Sequence, residues 1–213
     1  MPFDHLDRRR LRFRPLAERA NRVQIERDAV QPDQRPRELC EGVLAVVRRT
    51  AERIAQARRA GRPVIMAFGA HAIKNGLGPV LIHMMHRGWL THLATNGAGI
   101  IHDWEFAFLG QSSEHVAENV AAGTFGAWEE TGYYINLALL AGAYRGLGYG
   151  ESIGAMIQNE ALDIPPREQL RAAIEEGLKR QPAADIGGAA DLLWAMDQFD
   201  LPSGRLAIAH PYK

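Results

Sequence analysis

The sequence predicts an α/β protein built on an open parallel sheet, and three observations carry this prediction. Two short apolar runs, at 64–68 and 90–95, have the length of strands, and the first shows no polar alternation, as expected when both sheet faces are covered. Each run ends in a glycine-rich turn, and each turn leads into a helical pattern. This order is the βαβα rhythm of a parallel sheet, in which ligands bind beyond the carboxyl ends of the strands.

The composition limits the classes of protein to which the chain can belong. The chain has 213 residues, of which 46% are hydrophobic, so we expect one domain, with or without an added arm, and a sizeable core. Its single cysteine, Cys40, excludes an internal disulfide framework and a cysteine-based zinc site. No apolar run approaches the roughly 18–20 residues of a membrane span, and the arginine-rich N-terminus lacks the apolar stretch of a signal peptide. We therefore expect a cytoplasmic protein with no membrane association.

The zero net charge hides an asymmetry along the chain. Residues 1–62 hold 16 Lys and Arg against 9 Asp and Glu, whereas residues 63–213 hold 9 against 16. Residues 1–37 form a predicted basic arm, and residues 38–213 form the α/β domain. A basic arm can bind nucleic acid, but no nucleic-acid module signature accompanies it. We expect the arm to be solvated or to dock on an acidic body or a sister subunit.

Two helices are predicted before the first strand. Residues 16–29 have a helical pattern that Pro32 and Pro36 end. A strong amphipathic helix is predicted over 38–59, and its apolar residues recur at spacings of three, four and seven: Leu39, Val43, Val46, Val47 and Ile54.

After the second strand the pattern is mainly helical until a third predicted strand at 205–209. Three strands make a small parallel sheet for this much helix. We therefore expect residues beyond 213 in a longer relative, or another subunit, to complete the sheet. The predicted helices cover about 100–109, 113–121, 126–146, 150–160, 166–180 and 187–198.

The first loop, 69–78, is suited to an anion. Its glycines allow close backbone approach, and Pro79 fits the first turn of a following helix, whose N-terminus carries a partial positive charge. Lys74 adds a full positive charge. A phosphate or carboxylate fits this pattern, although the spacing matches neither dinucleotide fingerprint. The alternative is that the glycines only shape the turn and Lys74 is solvated.

The second loop, 95–99, places small residues where a ligand can approach the backbone. If a helix begins at Gly99, His102 and Asp103 lie in its first turn and a half. His102 is the best acid/base candidate, because an unshifted histidine titrates near neutrality, and Asp103 either acts with it or complements the helix dipole. The candidate catalytic residues are His102, Asp103 and Glu105, and the candidate ligand-binding residues are Gly69, His71, Lys74, Asn75, Thr95, Asn96, Gly97, Ala98 and Gly99.

Two patterns outside the loops have competing interpretations. Trp128 stands beside Glu129 and Glu130, and an aromatic wall with a carboxylate suits a cationic amine. Packing of Trp128 in the core or at an interface is the alternative. Ser112 and Ser113 look like a helix cap, and without a GxSxG elbow we expect no serine or cysteine nucleophile.

Residues 64–105 resemble the deoxyhypusine synthase superfamily, and the likeness is closer to its bacterial branch of unassigned substrate than to the true synthases. In that family the second strand ends in a Thr-Thr-Ala-Gly-Gly-like turn and an acidic cluster closing on Asp, and residues 91–103 here read THLATNGAGIIHD. The resemblance implies a Rossmann-like parallel sheet flanked by helices that binds NAD, usually as a tetramer with sites at dimer interfaces. It matches Asp103 with the final acid and places at the NAD site Thr95, Asn96, Gly97, Ala98 and Gly99.

The chain departs from the family where Ile101 and His102 stand in place of paired glutamates that help to bind NAD and the polyamine. No lysine matches the catalytic lysine. We therefore expect an NAD- or nucleotide-binding, transferase-like enzyme that acts on an amine or guanidine compound as a homo-oligomer, rather than a true deoxyhypusine synthase. The alternatives are a non-catalytic oligomeric ligand-binding protein and a metal-dependent hydrolase using His71, His102, Asp103 and Glu105, although no metal-binding spacing such as HExxH is present.

Overall fold

The computed structural model describes residue 7 and residues 10–180 and 186–208, and it shows a helix-rich α/β protein with small sheets. The described strands form three two-stranded sheets. The chain divides into two compact units. We call them the sheet unit, made of Asn21–Phe106 and Gly110–Ser113, and the helical unit, made of the described parts of Met1–Ala20, Ala107–Leu109 and Glu114–Lys213.

The sheet unit contains the two predicted parallel strands. In chain order its elements are β1 (Asn21–Gln24), α1 (Ile25–Asp28), α2 (Glu41–Arg59), β2 (Ile65–Ala67), α3 (Ala70–Lys74), α4 (Gly78–His86), β3 (His92–Ala94), most of α5 (Gly97–Leu109) and most of β4 (Gln111–Glu114). β2 and β3 pair in parallel, with Met66 opposite Leu93, and β1 pairs with β4. The strands predicted at 64–68 and 90–95 are confirmed, each shortened to three residues.

One face of the parallel pair packs against the core of the sheet unit. This core consists of Ile73, Leu81, Leu90 and Phe106, and the partly buried side chains of Val64, Met66 and Phe68 pack against it. Successive side chains of a strand point to opposite faces, so Ile65 belongs to the other face, where it is exposed, as is its register partner His92 of β3. The expected cover on both faces is therefore not present in the described chain.

Local signals set the helix boundaries of the sheet unit. The Asn96 side chain caps α5 by accepting a hydrogen bond from the Gly99 N–H at 3.1 Å, so the helix begins at Gly97, before the predicted start. Gly110 ends it in the left-handed conformation, with φ of 70°. α4 has Pro79 in its first turn and closes before Gly88, as predicted.

The helical unit is built from helices packed around an apolar core. Its described elements are a 3-10 turn (Leu16–Glu18), α6 (Val116–Ala121), α7 (Glu129–Tyr144), α8 (Tyr149–Asn159), β5 (Ala161–Ile164), α9 (Arg167–Arg180), α10 (Gly187–Phe199) and β6 (Gly204–Ala207). Its largest fully buried side chains include Ile153, Met156, Leu170, Leu192 and Met196. No helix in the described ranges combines the length and the apolar character needed to cross a bilayer.

The third predicted strand exists, but its predicted place in a parallel sheet is wrong. Gly204–Ala207 forms β6 and pairs antiparallel with β5, with Leu206 opposite Leu162; residue 209 lies outside the described residues. The two helices between β5 and β6 return the chain to the end of β5, so the strands meet in opposite directions. The parallel pair of β2 and β3 is therefore a two-stranded sheet that β6 does not join.

Two helix predictions fail where strand pairing overrides local pattern. Residues 16–29 form a 3-10 turn, β1 and α1 instead of one helix. The helix predicted at 113–121 begins only at Val116, because Gln111–Glu114 is strand β4. β1 pairs with β4, and the Ile25 N–H donates to the Gly110 carbonyl at 2.9 Å. Ser112 and Ser113 are therefore strand residues and do not cap a helix.

Candidate functional site

The two predicted loops lie side by side at the ends of β2 and β3. The Phe68 N–H donates to the Ala94 carbonyl at 2.9 Å, which extends the pairing to the last residues before the loops. A Cβ added to Gly69 would stand 3.8 Å from the Asn96 side-chain nitrogen. The starts of the two loops therefore lie close together, as neighbouring parallel strands require.

In the second loop, two predicted site residues also hold the loop together. Asn96 caps α5 through its side-chain oxygen. Gly99 packs so closely against the Thr95 side chain that a Cβ would fit only if the Thr95 hydroxyl moved. Thr95, Asn96 and Ala98 are nevertheless exposed, and Gly97 is half-buried. The loop thus presents polar side chains and open backbone to solvent.

The first loop is partly helical, which corrects the expectation of an open glycine turn. Residues 70–74 form α3, and Lys74 is its last residue, so its charge lies at a helix C-terminus and not at an N-terminus. His71 and Asn75 are exposed and Lys74 is half-buried. Gly76, with φ of +83°, packs against the backbone of Asp28, where no Cβ would fit. Gly76 therefore has a structural role.

The candidate catalytic residues lie further along α5 than expected. Because α5 begins at Gly97, its first turn holds no acid, and His102 and Asp103 lie in the second turn. At 1.5 Å per residue, His102 stands about 9 Å along the axis from Asn96. Asp103 therefore does not complement the helix dipole in the first turn.

His102, Ser112 and Glu105 form one hydrogen-bonded chain. The Ser112 hydroxyl donates to Glu105 Oε2 at 2.5 Å, and Ser112 Oγ lies 2.6 Å from His102 Nδ1. Because the serine proton goes to the carboxylate, its oxygen is left to accept a hydrogen bond from Nδ1–H. Ser112 and Glu105 are buried, whereas the His102 side chain is 19% exposed. The chain fixes the orientation and tautomer of the imidazole.

Ser112 is the functional candidate that sequence reasoning missed. It lies seven residues after Glu105, and the left-handed Gly110 reverses the chain between them. A helix followed by glycine and two serines is the signal available in the sequence. That signal does not reveal which way the strand returns.

Asp103 differs from Glu105 in its surroundings. Asp103 is exposed to solvent. Protein atoms around its carboxyl group nevertheless displace part of the surrounding water, and this desolvation raises the pKa of Asp103 above its ordinary value. The raised pKa means that the carboxyl keeps its proton to a higher pH than an ordinary aspartate does.

The side chains proposed as metal ligands do not form a metal site. Within the described ranges, no group of three or more His, Cys, Asp and Glu side chains is arranged to hold a metal ion. His71, His102, Asp103 and Glu105 all belong to those ranges. The geometry gives the metal-dependent hydrolase no support.

Trp128 is buried by its own chain. Its indole N–H donates to Glu114 at 3.1 Å, and the guanidinium of Arg19 lies 5.5 Å from the centre of its ring. Glu130 accepts a hydrogen bond from the Leu16 N–H at 2.6 Å. The alternative of a packed Trp128 is therefore the one the structure adopts. Sequence reasoning also missed Glu114, whose carboxylate accepts from the side chains of Asn119 and Trp128 and from the backbone of Gly126.

Comparison of the chain with protein-family models, with curated proteins and with solved structures found no match.

Proposed function

We propose that the chain is an NAD- or nucleotide-binding enzyme of the cytoplasm, acting on an amine or guanidine compound as a homo-oligomer. The cofactor would lie on the loops after β2 and β3. The observation that carries this proposal is the close approach of Gly69 and Asn96 at the ends of two parallel strands. Parallel sheets bind nucleotides at this kind of position.

The loops offer the groups that a dinucleotide requires. The N-terminus of α5 supplies backbone N–H groups at Gly97 and Ala98, with the positive end of a helix dipole behind them. Lys74, the last residue of α3, would supply a positive charge in the same unit. Exposed polar side chains for the ribose hydroxyls would come from His71, Asn75, Thr95 and Asn96. These are the residues that the resemblance and the loop patterns predict.

The network on α5 supports acid/base chemistry by His102. Oxidation of a carbon that bears an amine removes a hydride, which NAD accepts when bound, and a proton, which needs a base. His102 would take that proton, and Ser112 and Glu105 would orient its ring. Glu105 is too deeply buried to touch a ligand, so its role would be to position His102. The accessible Asp103 would face the cationic substrate.

Calorimetry with NAD tests this function. Gly69→Val fills the space between the loops, while its Cβ makes only an ordinary contact with Asn96. We expect this change to weaken NAD binding at least tenfold, about 1.4 kcal/mol, without loss of folding. The matched control is Gly150→Val, because a Cβ there meets nothing within 4 Å. An absence of NAD binding by the unmodified chain, or equal affinity in both variants, would remove the proposal.

A further inference from the structure

The helical unit contains an open cavity of about 390 Å³. It lies where the C-terminal end of α7, the end of β5, the start of α9 and the start of β6 come together. Small-molecule sites in proteins are clefts of roughly 300–1,000 Å³ in which a few polar groups converge. The cavity therefore has the size for a small ligand, and its side chains decide which ligand fits.

Two arginines line this cavity, and they are held differently. Arg205 pairs with Asp163 across β5 and β6, with 3.5 Å between Nη1 and Oδ1, and it donates to the Asn159 carbonyl at 3.0 Å. Arg145 is the C-cap of α7, and its guanidinium makes no hydrogen bond or ion pair with any residue that the structure describes. Asp163 thus offsets the charge of Arg205, whereas Arg145 keeps its full charge and all of its N–H donors for a ligand.

The helix ends at the cavity leave the sign of this charge unchanged. α9 begins at Arg167, and Pro165 and Gln169 on either side of that residue line the cavity, so the partly positive N-terminus of α9 lies there. The C-terminal end of α7 carries the opposite partial charge, of roughly half an elementary charge. Because the two helix ends offset each other, the charge of Arg145 remains. The cavity therefore suits a ligand group with a single negative charge.

A second donor comes from Tyr144, which lines the same cavity. Its hydroxyl oxygen accepts a hydrogen bond from Gln169 Nε2 at 3.1 Å, so its own O–H proton is left to donate. A carboxylate accepts two parallel hydrogen bonds from a guanidinium and keeps lone pairs for a hydroxyl donor. The half-buried Tyr144 ring and Pro165 supply apolar surface to the same cavity. These groups together fit a carboxylate that is carried on an apolar body.

We propose that this cavity is a second ligand site, which binds a small carboxylic acid in its ionised form. Arg145 and the Tyr144 hydroxyl hold the carboxylate, and the Tyr144 ring and Pro165 contact the apolar body. The helical unit forms the whole site, whereas the proposed NAD site lies on the loops of the sheet unit. The two proposals therefore stand or fall separately.

An amide NMR titration of the whole chain with benzoate tests the site. We expect benzoate to shift the signals of residues 144–145, 163–169 and 204–205, with a dissociation constant on the order of 1 mM for so small a ligand. Benzamide is the matched control, because it has the same ring without the charge, and it should bind at least about tenfold more weakly. Equal binding of the two, or no shift at these residues, would overturn the proposal. Tighter binding of inorganic phosphate than of benzoate would overturn the assignment of a carboxylate.

Substitutions in the cavity give an independent readout. Arg145→Gln removes the charge and the paired donors, so it should weaken benzoate binding at least about tenfold. The control is Arg171→Gln, because Arg171 is an exposed arginine of α9 that does not line the cavity. Tyr144→Phe keeps the ring and removes only the hydroxyl, so it should weaken binding by a smaller factor. Circular dichroism checks that each variant folds, and unchanged affinity in folded Arg145→Gln, or an equal loss in Arg171→Gln, would contradict the site.

Discussion

Two polar clusters of this chain use similar residue types in opposite ways. In the sheet unit, the loops after β2 and β3 present exposed side chains such as Thr95 and Asn96, and the His102–Ser112–Glu105 chain lies further along α5. In the helical unit, the glycine turn and acids around Trp128 are covered by other side chains of the same unit. Arg19 covers the indole ring, and Glu114 collects three hydrogen bonds.

The difference shows that residue type does not identify a ligand site. An aromatic ring next to carboxylates suits a cationic amine, but Arg19 already supplies that cation to Trp128. The loops of the sheet unit keep polar groups facing solvent, and this is what a ligand requires. The Trp128 cluster therefore stabilises the fold, whereas ligand binding is our proposal for the loops.

The largest expected effect follows from removing Glu114. Glu114→Ala leaves the Trp128 and Gly126 N–H groups without their acceptor, so we expect the free energy of unfolding to fall by about 2–4 kcal/mol. NAD affinity should stay unchanged in the folded fraction. Urea unfolding followed by tryptophan fluorescence measures the loss of stability.

The control for this change is Glu118→Ala, because the Glu118 side chain is 76% exposed on α6. Its effect should stay within about 0.5 kcal/mol. Equal stabilities of the two variants, or a loss of NAD binding in folded Glu114→Ala, would contradict the separate roles of the Trp128 cluster and the loops.

A smaller loss is expected for Ser112→Ala. This change removes the donor to the buried Glu105 and the acceptor for His102 Nδ1, and should cost about 2 kcal/mol of stability. It should also alter the ring-nitrogen chemical shifts of His102, which a purely local packing defect would leave unchanged. Ser203→Ala, at an exposed position, is the matched control. Unchanged His102 shifts would show that the hydrogen-bonded chain does not hold the imidazole.

The smallest effect is a pH dependence through Asp103. Its pKa is raised in the folded chain, so the folded state keeps the proton longer than the unfolded state. As the pH rises above about 3.9, the unfolded chain loses the proton first, and stability falls until the folded group has also titrated. Asp103→Asn should therefore be more stable than the unmodified chain at neutral pH and not at about pH 3. Asp191→Asn, at an exposed site on α10, should show no such gain.

Sequence reasoning succeeded where local pattern decides structure. The apolar runs located β2 and β3, and the glycine turns located two loops that do lie together. It failed where distant pairing decides: β6 pairs with β5 and not with the parallel strands, and Ser112 belongs to a strand because of β1. Neither strand pairing can be predicted from a short stretch of sequence. The roles of Ser112 and Glu114 appear only once these pairings bring their partners together.

Hydrogen exchange with and without NAD tests the central claim most directly, because it reads both clusters in one experiment. The account predicts that NAD slows exchange at residues 69–75 and 95–99 and leaves residues 123–130 unchanged. Protection at 123–130 alone, or no protection anywhere at saturating NAD, would contradict it.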